Sequence, residues 1–289
     1  MVKNKMKYRV SAGQTVTKTI VFVLFVIYAV SLLFPFCWMF LNSFKGRNDF
    51  LFDVWGLPKQ WHFENWVKCF NLTYNNHNIL QMFGNSLIYM VGCTSASVFF
   101  SAVTAYVLTK YTFPGSKHIY SFTFVLMMIP MVGNTAAAYK LYHDLHFYNT
   151  YYGLIITSCS GFGSCFVLLY GFFKNLSWTY AEAAFLDGAG HFSVFFKIML
   201  PMAMPCVAAM AISSAIGIWN DYFTFYMYAP DRVTIALGLQ GLVTQTQYGK
   251  TSYPELFAAM FASMVPIIIL YAATQNLIIK NTVVGGIKG

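Results

Sequence analysis

Charged residues are scarce in this sequence, where they make up 9% of the 289 positions while 58% are apolar. A soluble domain carries about a quarter charged residues, so the composition argues against a water-soluble enzyme. The few Lys, Arg, Asp and Glu residues fall in short clusters. The apolar stretches between them reach about 20 residues or more, which is the length of a helix that crosses a bilayer. This spacing indicates a polytopic membrane protein.

A paired or metal-binding cysteine pattern is also missing. No C-x-x-C or Cys/His ligand spacing occurs, and five of the six cysteines lie inside apolar runs, so we expect free thiols within the membrane. The six are Cys37, Cys69, Cys93, Cys159, Cys165 and Cys206. His143, Asp144 and His146 share a short loop, but no fourth ligand accompanies them. We therefore expect no metal site.

The sequence lacks a complete G-x4-G-K-[ST] motif for binding ATP. Its nearest string is Gly249-Lys250-Thr251, but Thr244 occupies the position of the first glycine. The basic start of the chain is followed by an apolar run about twice as long as a signal-peptide core, without an A-x-A site at its end. We therefore predict an uncleaved first span and no ATP-binding site of this type in this chain.

The net charge of +9 could suggest a nucleic-acid-binding protein. However, no basic face alternates with aromatic residues in a polar domain, so we expect no nucleic acid partner. The excess positive charge is better interpreted as the charge that orients a membrane protein.

Six windows are long and apolar enough for transmembrane helices, namely residues 19–42, 83–109, 119–140, 151–173, 204–228 and 256–279. All 18 Lys and Arg residues lie outside these windows or at their edges. The side that shares the N-terminus has 11 of them and the opposite side seven, which favours cytoplasmic N- and C-termini. The sequence predicts an all-α membrane protein with six transmembrane helices in one domain, residues 1–289.

A polar loop at residues 175–203 joins the fourth and fifth windows on the predicted cytoplasmic side. Ser177 can cap the start of a helix that includes Glu182. Gly188 then permits a tight turn, and a second helix runs toward Pro201. Ala183 and Ala184 would leave a low helix face that another protein could approach closely. The residues alone leave two interpretations open, a docking element and an amphipathic surface helix without a partner.

The same loop resembles the EAA loop of ABC importer permeases, E-A-A-x3-G-x9-I-x-L-P. The residues at its fixed positions are Glu182, Ala183, Ala184, Gly188, Ile198, Leu200 and Pro201. The resemblance implies that the helix from Glu182 to Asp187 is a coupling helix, which fits a cleft in a separate ATP-hydrolysing subunit. It also implies that ATP and Mg are bound by that subunit, and that this chain is a pore subunit without catalytic residues or a cofactor.

Other segments are similar to those of the carbohydrate importers, and specifically to the shorter maltose-type permease. They are Asn42-Ser43-Phe44-Lys45, Asn85-Ser86-Leu87, Trp219-Asn220-Asp221-Tyr222 and Gly285-Gly286-Ile287-Lys288-Gly289. The resemblance implies a permease subunit in the cytoplasmic (inner) membrane that works by alternating access. The implied partners are a second, different permease, two ATPase subunits and an extracytoplasmic sugar-binding protein.

Three segments are candidates for more specific roles. Trp219, Asn220 and Asp221 could line the pathway or a gate, although a helix–helix hydrogen bond and a proton relay are alternatives for the one intramembrane acid. The uncharged stretch Thr244-Gln245-Thr246-Gln247-Tyr248-Gly249 is expected to be flexible, and either contacts the binding protein or is a plain connector. Gly285, Gly286, Lys288 and Gly289 suit an extended tail, which the resemblance places between the two ATPases.

Two other functions remain open. An ABC importer permease for another solute, such as a polyamine or phosphate, would keep the EAA loop. A secondary transporter or channel would need an ion-coordinating pathway within one chain, and its transport would not depend on ATPase subunits.

Overall fold

The computed structural model describes residues 12–129 and 131–284, which are mostly helical. The longer helices of these ranges are α1 (Ala12–Asn42), α4 (Ile79–Lys110), α5 (Ser116–Met128), α6 (Thr135–Asp144), α8 (Ser164–Asn175), α11 (Leu200–Asn220), α13 (Ile235–Gln247) and α14 (Tyr253–Val284). The shorter ones are α2 (Arg47–Phe52), α3 (Glu64–Lys68), α7 (Tyr151–Thr157), α9 (Thr179–Leu186), α10 (His191–Val194) and α12 (Phe223–Tyr228). Cys69–Asn71, Met131–Asn134 and Ser158–Ser160 form 3₁₀ turns, and Phe195–Met199 is a π-helix that joins α10 to α11.

Two short strands form an antiparallel hairpin, β1 (Thr73–Tyr74) and β2 (His77–Asn78). The two residues between them, Asn75 and Asn76, have φ of 48° and 60°. Positive φ at both central positions is typical of the two-residue turn whose twist matches that of the strands, and Asn tolerates it well. The hairpin leads directly into α4.

Four described helices are long and apolar enough to cross a membrane, at residues 13–42, 79–110, 191–220 and 253–275. They contain most of the first, second, fifth and sixth predicted windows. The fourth window is a bent pair, residues 151–160 and 164–175, with a 40° angle at the break. The described residues therefore contain four membrane-crossing segments, or five when this bent pair is counted as one span.

The third window, residues 119–140, is not the continuous helix that the sequence predicted. Helix α5 ends at Met128, and Ile129 is extended with φ −72° and ψ 120°. Residue 130 in the sequence is proline, and the residue before a proline is disfavoured in the helical region. The fifth window, residues 204–228, extends beyond the helix that it predicts. Helix α11 ends at Asn220, and a separate short helix, α12, follows.

Helix α4 connects two cores at opposite ends of the bundle. Its 32 residues span about 48 Å at 1.5 Å per residue. Tyr89 and Cys93 belong to a core shared with α13 and α14, whereas Ala105 and Tyr106 belong to a core shared with α8 and α9. We call the first end, with residues 43–78 and 229–252, the hairpin end, and the second, with residues 111–116 and 175–199, the turn end.

At the hairpin end, the segment that follows α1 folds around a fully buried lysine. Lys45 is 0% exposed, and its Nζ donates to the backbone oxygen of Asp53 at 2.6 Å. The side chain of Asn65 donates to the backbone oxygens of Ser43 and Lys45, both at 2.9 Å. A hydrogen bond from the Gly56 N–H lowers the pKa of Asp53, and the charge of Lys45 lowers it further. The Asn42 to Lys45 motif is therefore structural in this chain.

Two adjacent polar side chains of α4 hold the segment that starts α13. The Asn85 amide donates to the Val233 oxygen at 2.9 Å and accepts from the Tyr151 hydroxyl at 2.9 Å. The Ser86 hydroxyl accepts from the Ile235 N–H at 2.7 Å. These bonds give the Asn85-Ser86 motif a structural role as well.

Replacing Asn85 with alanine should destabilise the folded protein, because it leaves the buried Val233 carbonyl and Tyr151 hydroxyl without this partner. Such a loss costs about 1–3 kcal/mol, so the detergent-solubilised Asn85→Ala protein should unfold at a lower temperature than the wild type. The exposed Asn48 supplies the control: Asn48→Ala should unfold near the wild-type temperature. Equal unfolding temperatures for both variants would contradict the assignment.

Candidate functional site

At the turn end, α9 and α10 form a helix, turn and helix at the surface. The Ser177 hydroxyl accepts from the Thr179 N–H at 3.3 Å, where α9 begins. The helix ends at Leu186, and Gly188 has φ +82°. The Gly188 N–H donates to Phe185 and the Ala189 N–H to Ala184, at 3.0 and 2.9 Å. This pair of bonds is the Schellman ending of a helix, which needs a left-handed residue where Gly188 lies.

The exposed surface of this turn is more apolar than the sequence suggested. Leu186 is 90% exposed and Phe192 is 82% exposed, one on each side of the turn. Glu182 and Ala183 are exposed beside them. Large apolar side chains that protrude in this way are typical of surfaces that another protein covers.

Ala184 differs from the expectation that it would share the smooth outer face with Ala183. It is 8% exposed and packs with the fully buried Ala181 in the core of the turn end. Residues 181, 184 and 185 face inward at helical spacing. The available face of α9 therefore consists of Glu182, Ala183, Leu186 and Asp187.

The turn is attached to the last residues of α4 by polar contacts. Tyr111, which follows α4, shares a hydrogen bond of 2.8 Å with Nδ1 of His191 in α10. The Lys110 ammonium donates to the Leu176 oxygen at 2.5 Å. On the other side, α10 continues through the π-helix into α11, so residues 191–220 form one 30-residue helix. A displacement of the turn would thus act on both α4 and this long helix.

The remaining residues of the sequence motif lie along this continuation. Ile198 is half-buried in the π-helix, Leu200 is half-buried at the start of α11, and Pro201 is exposed beside it. Pro201 lies inside the continuous helix, just after the π-helix, where its ring leaves the preceding turn without one backbone hydrogen bond.

Trp219, Asn220 and Asp221 lie where α11 ends at the hairpin end. The buried Trp219 indole donates to the Ser263 oxygen of α14 at 3.3 Å. The Asn220 amide donates within its own helix to Ile216 at 2.8 Å. Asp221 accepts from the Thr224 N–H at 3.0 Å and borders a cavity of about 190 Å³ together with Thr157 and Ser158. A part in the pathway or gate stays a prediction for all three.

The segment from Thr244 to Gly249 is not the flexible stretch that its composition suggested. Thr244, Gln245, Thr246 and Gln247 are the last residues of α13, and Tyr248 and Gly249 follow them. The Thr234 hydroxyl faces the Leu237 N–H at 3.4 Å at the start of this helix, and Ile235, Leu242 and Thr246 are buried. A threonine before apolar residues at helical spacing was the signal that the sequence analysis passed over.

The C-terminal candidates Gly285, Gly286, Lys288 and Gly289 lie outside the described residues. Their expected role as an extended tail stays a prediction.

Several apolar helices that can cross a membrane, together with a protruding turn fixed to two of them, are typical of a multi-pass membrane protein that a partner contacts at the turn. Comparison with known families supports this. The family described as binding-protein-dependent transport system inner membrane component matches residues 97–283. The chain belongs to this family, and the resemblance to ABC importer permeases is confirmed.

Two relatives show how much of the chain is shared. The diacetylchitobiose uptake system permease protein NgcG of Streptomyces coelicolor is 32% identical over 257 residues, covering 88% of this chain and 83% of the relative. The maltodextrin transport system permease protein MdxG of Bacillus subtilis is 25% identical over 283 residues, covering 96% and 99%.

A solved structure shares the fold. It is a chain of a bacterial ABC transporter involved in the import of the acidic polysaccharide alginate. The TM-score is 0.76 at 21% identity, and the superposition covers 92% of this chain and 98% of that one.

Replacing Gly188 with alanine should loosen the turn, because a residue with a Cβ is strained at φ +82°. The strain costs about 1–2 kcal/mol, so the amide protons of Gly188 and Ala189 should exchange with solvent about tenfold faster. Gly190 is the matched control, since its φ of −77° and ψ of 161° suit any residue and no atom lies within 4 Å of an added Cβ at either glycine. Equal protection of the turn in Gly188→Ala and Gly190→Ala would show that the left-handed conformation is unimportant.

Proposed function

We propose that this chain is a permease subunit of an ATP-driven carbohydrate importer. It would form half of the translocation pathway and convert closure of the ATPase subunits into alternating access. Membership of the binding-protein-dependent family supports the transport role, and the names of relatives such as NgcG and MdxG support a saccharide as the substrate. Such a subunit works with ATPase and substrate-binding partners.

The observation that carries the proposal is the exposed turn between α9 and α10. Leu186 and Phe192 project from a turn that is fixed to α4 and runs on into the 30-residue helix of residues 191–220. A partner that covered both side chains would gain about 1.5–3 kcal/mol from each. We infer that this partner is the ATPase subunit, and that Glu182 and Asp187 supply charges for its basic groups.

Coupling then needs no cofactor in this chain. ATP and Mg would be held by the two partner ATPases, and their closure would press on the turn around Gly188. Because the turn is joined to α4 and α11, both helices would receive the movement. Ile198 in the π-helix, with Leu200 and Pro201 at the start of α11, would transmit it toward the pathway.

The proposed topology places the turn end and the N-terminus in the cytoplasm and the hairpin end outside. The broken segment of residues 116–144 would complete six spans inside the bilayer, where irregular backbone is tolerated when other protein covers it. A second, different permease would supply that cover. The extracytoplasmic sugar-binding protein would dock on the hairpin end, including the segment from Thr244 to Gly249.

The direct test is reconstitution of the purified complex in lipid vesicles with its binding protein. Addition of a saccharide that the binding protein holds should raise ATP hydrolysis and drive uptake, and both should stop without the ATPase subunits. Stimulation by a polyamine or by phosphate alone would identify an importer for another solute. Uptake that continues without the ATPases would identify a secondary transporter.

Replacing Leu186 with serine should weaken the complex with the ATPase by about tenfold or more, because the loss of a leucine from an interface removes about 1.5–3 kcal/mol of apolar burial. Transport should fall in parallel, while the amount of protein in the membrane stays the same. The conservative Leu186→Met variant should restore binding of the ATPase. If Leu186→Ser copurifies with the ATPase as well as the wild type does, the turn is not the docking element.

Removing the residues after Val284 should leave membrane insertion intact and lower sugar-stimulated ATP hydrolysis, if the tail enters the space between the ATPases. The measurement is the ATPase rate of the assembled complex with and without loaded binding protein. A truncated complex that assembles, hydrolyses ATP and transports at wild-type rates would show that the tail has no coupling role.

A further inference from the structure

A cleft of about 480 Å³ opens at the hairpin end between α12, α13 and the β hairpin. Its volume lies within the range of about 300–1,000 Å³ that is usual for small-molecule sites. Four tyrosines border it, Tyr74, Tyr222, Tyr226 and Tyr248. The cleft is separate from the turn end and from the small cavity beside Asp221.

One side of α13 supplies the polar groups of this cleft. Gln240 and Thr244 border it and are four residues apart, which places them on one helix face, and Gln245 borders the cleft beside them. The opposite face is buried, with Leu242 and Thr246 directed into the core. Since Ser86 of α4 also holds the first N–H of the helix, the orientation of the polar face is fixed before any ligand arrives.

Tyr74 is held in the cleft by a close approach to Gly241. A Cβ built on Gly241 would lie 2.3–2.5 Å from three atoms of the Tyr74 ring, so the ring rests directly on the backbone of α13. The tight hairpin turn fixes Tyr74 from the other side, through its pairing with His77. The α13 wall and the hairpin wall of the cleft are therefore both held in place by backbone contacts.

The lining groups suit a neutral, hydroxylated ligand. Tyrosine, threonine and glutamine side chains both donate and accept hydrogen bonds, as the hydroxyls of a sugar do, and aromatic rings offer flat apolar faces to the C–H face of a sugar ring. Among the described lining residues, Lys250 carries the one charge and no carboxylate occurs. A polyamine would need carboxylates, and phosphate would need more donors with positive charge.

We propose that this cleft is a saccharide-binding site of the permease, which holds one ring of a neutral oligosaccharide as it leaves the binding protein. The proposal rests on the proposed function and adds to it, because it assigns direct contact with substrate to this subunit. Tyr226 and Gln240 are the contacts that can be altered without touching the bonds that hold α13 to α4 or the segment from Thr244 to Gly249.

The test uses the complete complex with saturating binding protein in vesicles, and diacetylchitobiose, maltotriose, xylotriose and raffinose as probes. For the transported sugar, Tyr226→Ala and Gln240→Ala should each lower the number of sugar molecules taken up per ATP by about threefold to tenfold, the effect of losing one good contact. ATP hydrolysis stimulated by loaded binding protein should remain within about twofold of wild type, because docking is unchanged. Gln60→Ala, at an exposed glutamine of the hairpin end outside the cleft, serves as the control.

Other results would overturn the proposal. If uptake and stimulated hydrolysis fall together, the cleft is a docking surface for the binding protein. If uptake per ATP is unchanged in both variants at wild-type unfolding temperature, the cleft holds no sugar, although the proposed function stands. If the complex takes up an alginate disaccharide, and Lys250→Ala abolishes this uptake, the ligand of the cleft is an acidic saccharide and the proposal of a neutral ligand is wrong. If none of the four sugars is transported or stimulates hydrolysis, the proposal and the saccharide function on which it rests both fail.

Discussion

Two hydrogen bonds fix the hairpin end to the rest of the molecule: the Asn85 amide donates to the Val233 oxygen, and the Ser86 hydroxyl accepts from the Ile235 N–H. The donors and acceptors are buried, where an unpaired polar group is costly, so this segment has one favoured position. Helix α13 starts at this anchor, and the cleft lies along its free face. The anchor thus fixes the position of the glutamines that α13 contributes to the cleft.

The same helix that carries this anchor also carries the attachments of the turn. Ser86 and Lys110 are 24 positions apart on α4, about 36 Å along the helix axis. Lys110 binds Leu176, which precedes α9, and Tyr111, directly after α4, binds His191 of α10. One continuous helix thus connects the surface that we assign to the ATPase with the surface that we assign to the binding protein. This arrangement gives alternating access a physical route, because a tilt of α4 moves both ends.

Sequence analysis could predict the features that depend on local patterns. The long apolar windows gave α1, α4, α11 and α14, and Gly188 gave the left-handed turn. It could not predict features that depend on distant partners. Ala184 faces inward because it belongs to a core that also contains residues of α4, α8 and the π-helix, and the cleft arises because Tyr74 meets Gly241, although 167 positions separate them. The polar composition of residues 244–249 did not indicate that residues 244–247 end helix α13, because Thr246 is the one buried residue among them.

Photocross-linking in intact cells tests the central assignment most directly. A photoreactive benzoylphenylalanine in place of Leu186 should form a covalent product with the ATPase subunit, and the same group in place of Tyr248 should form one with the binding protein. Both side chains are highly exposed, so the probe fits either position. A product between position 186 and the binding protein, or the absence of any ATPase product at position 186 in an active complex, would contradict the account.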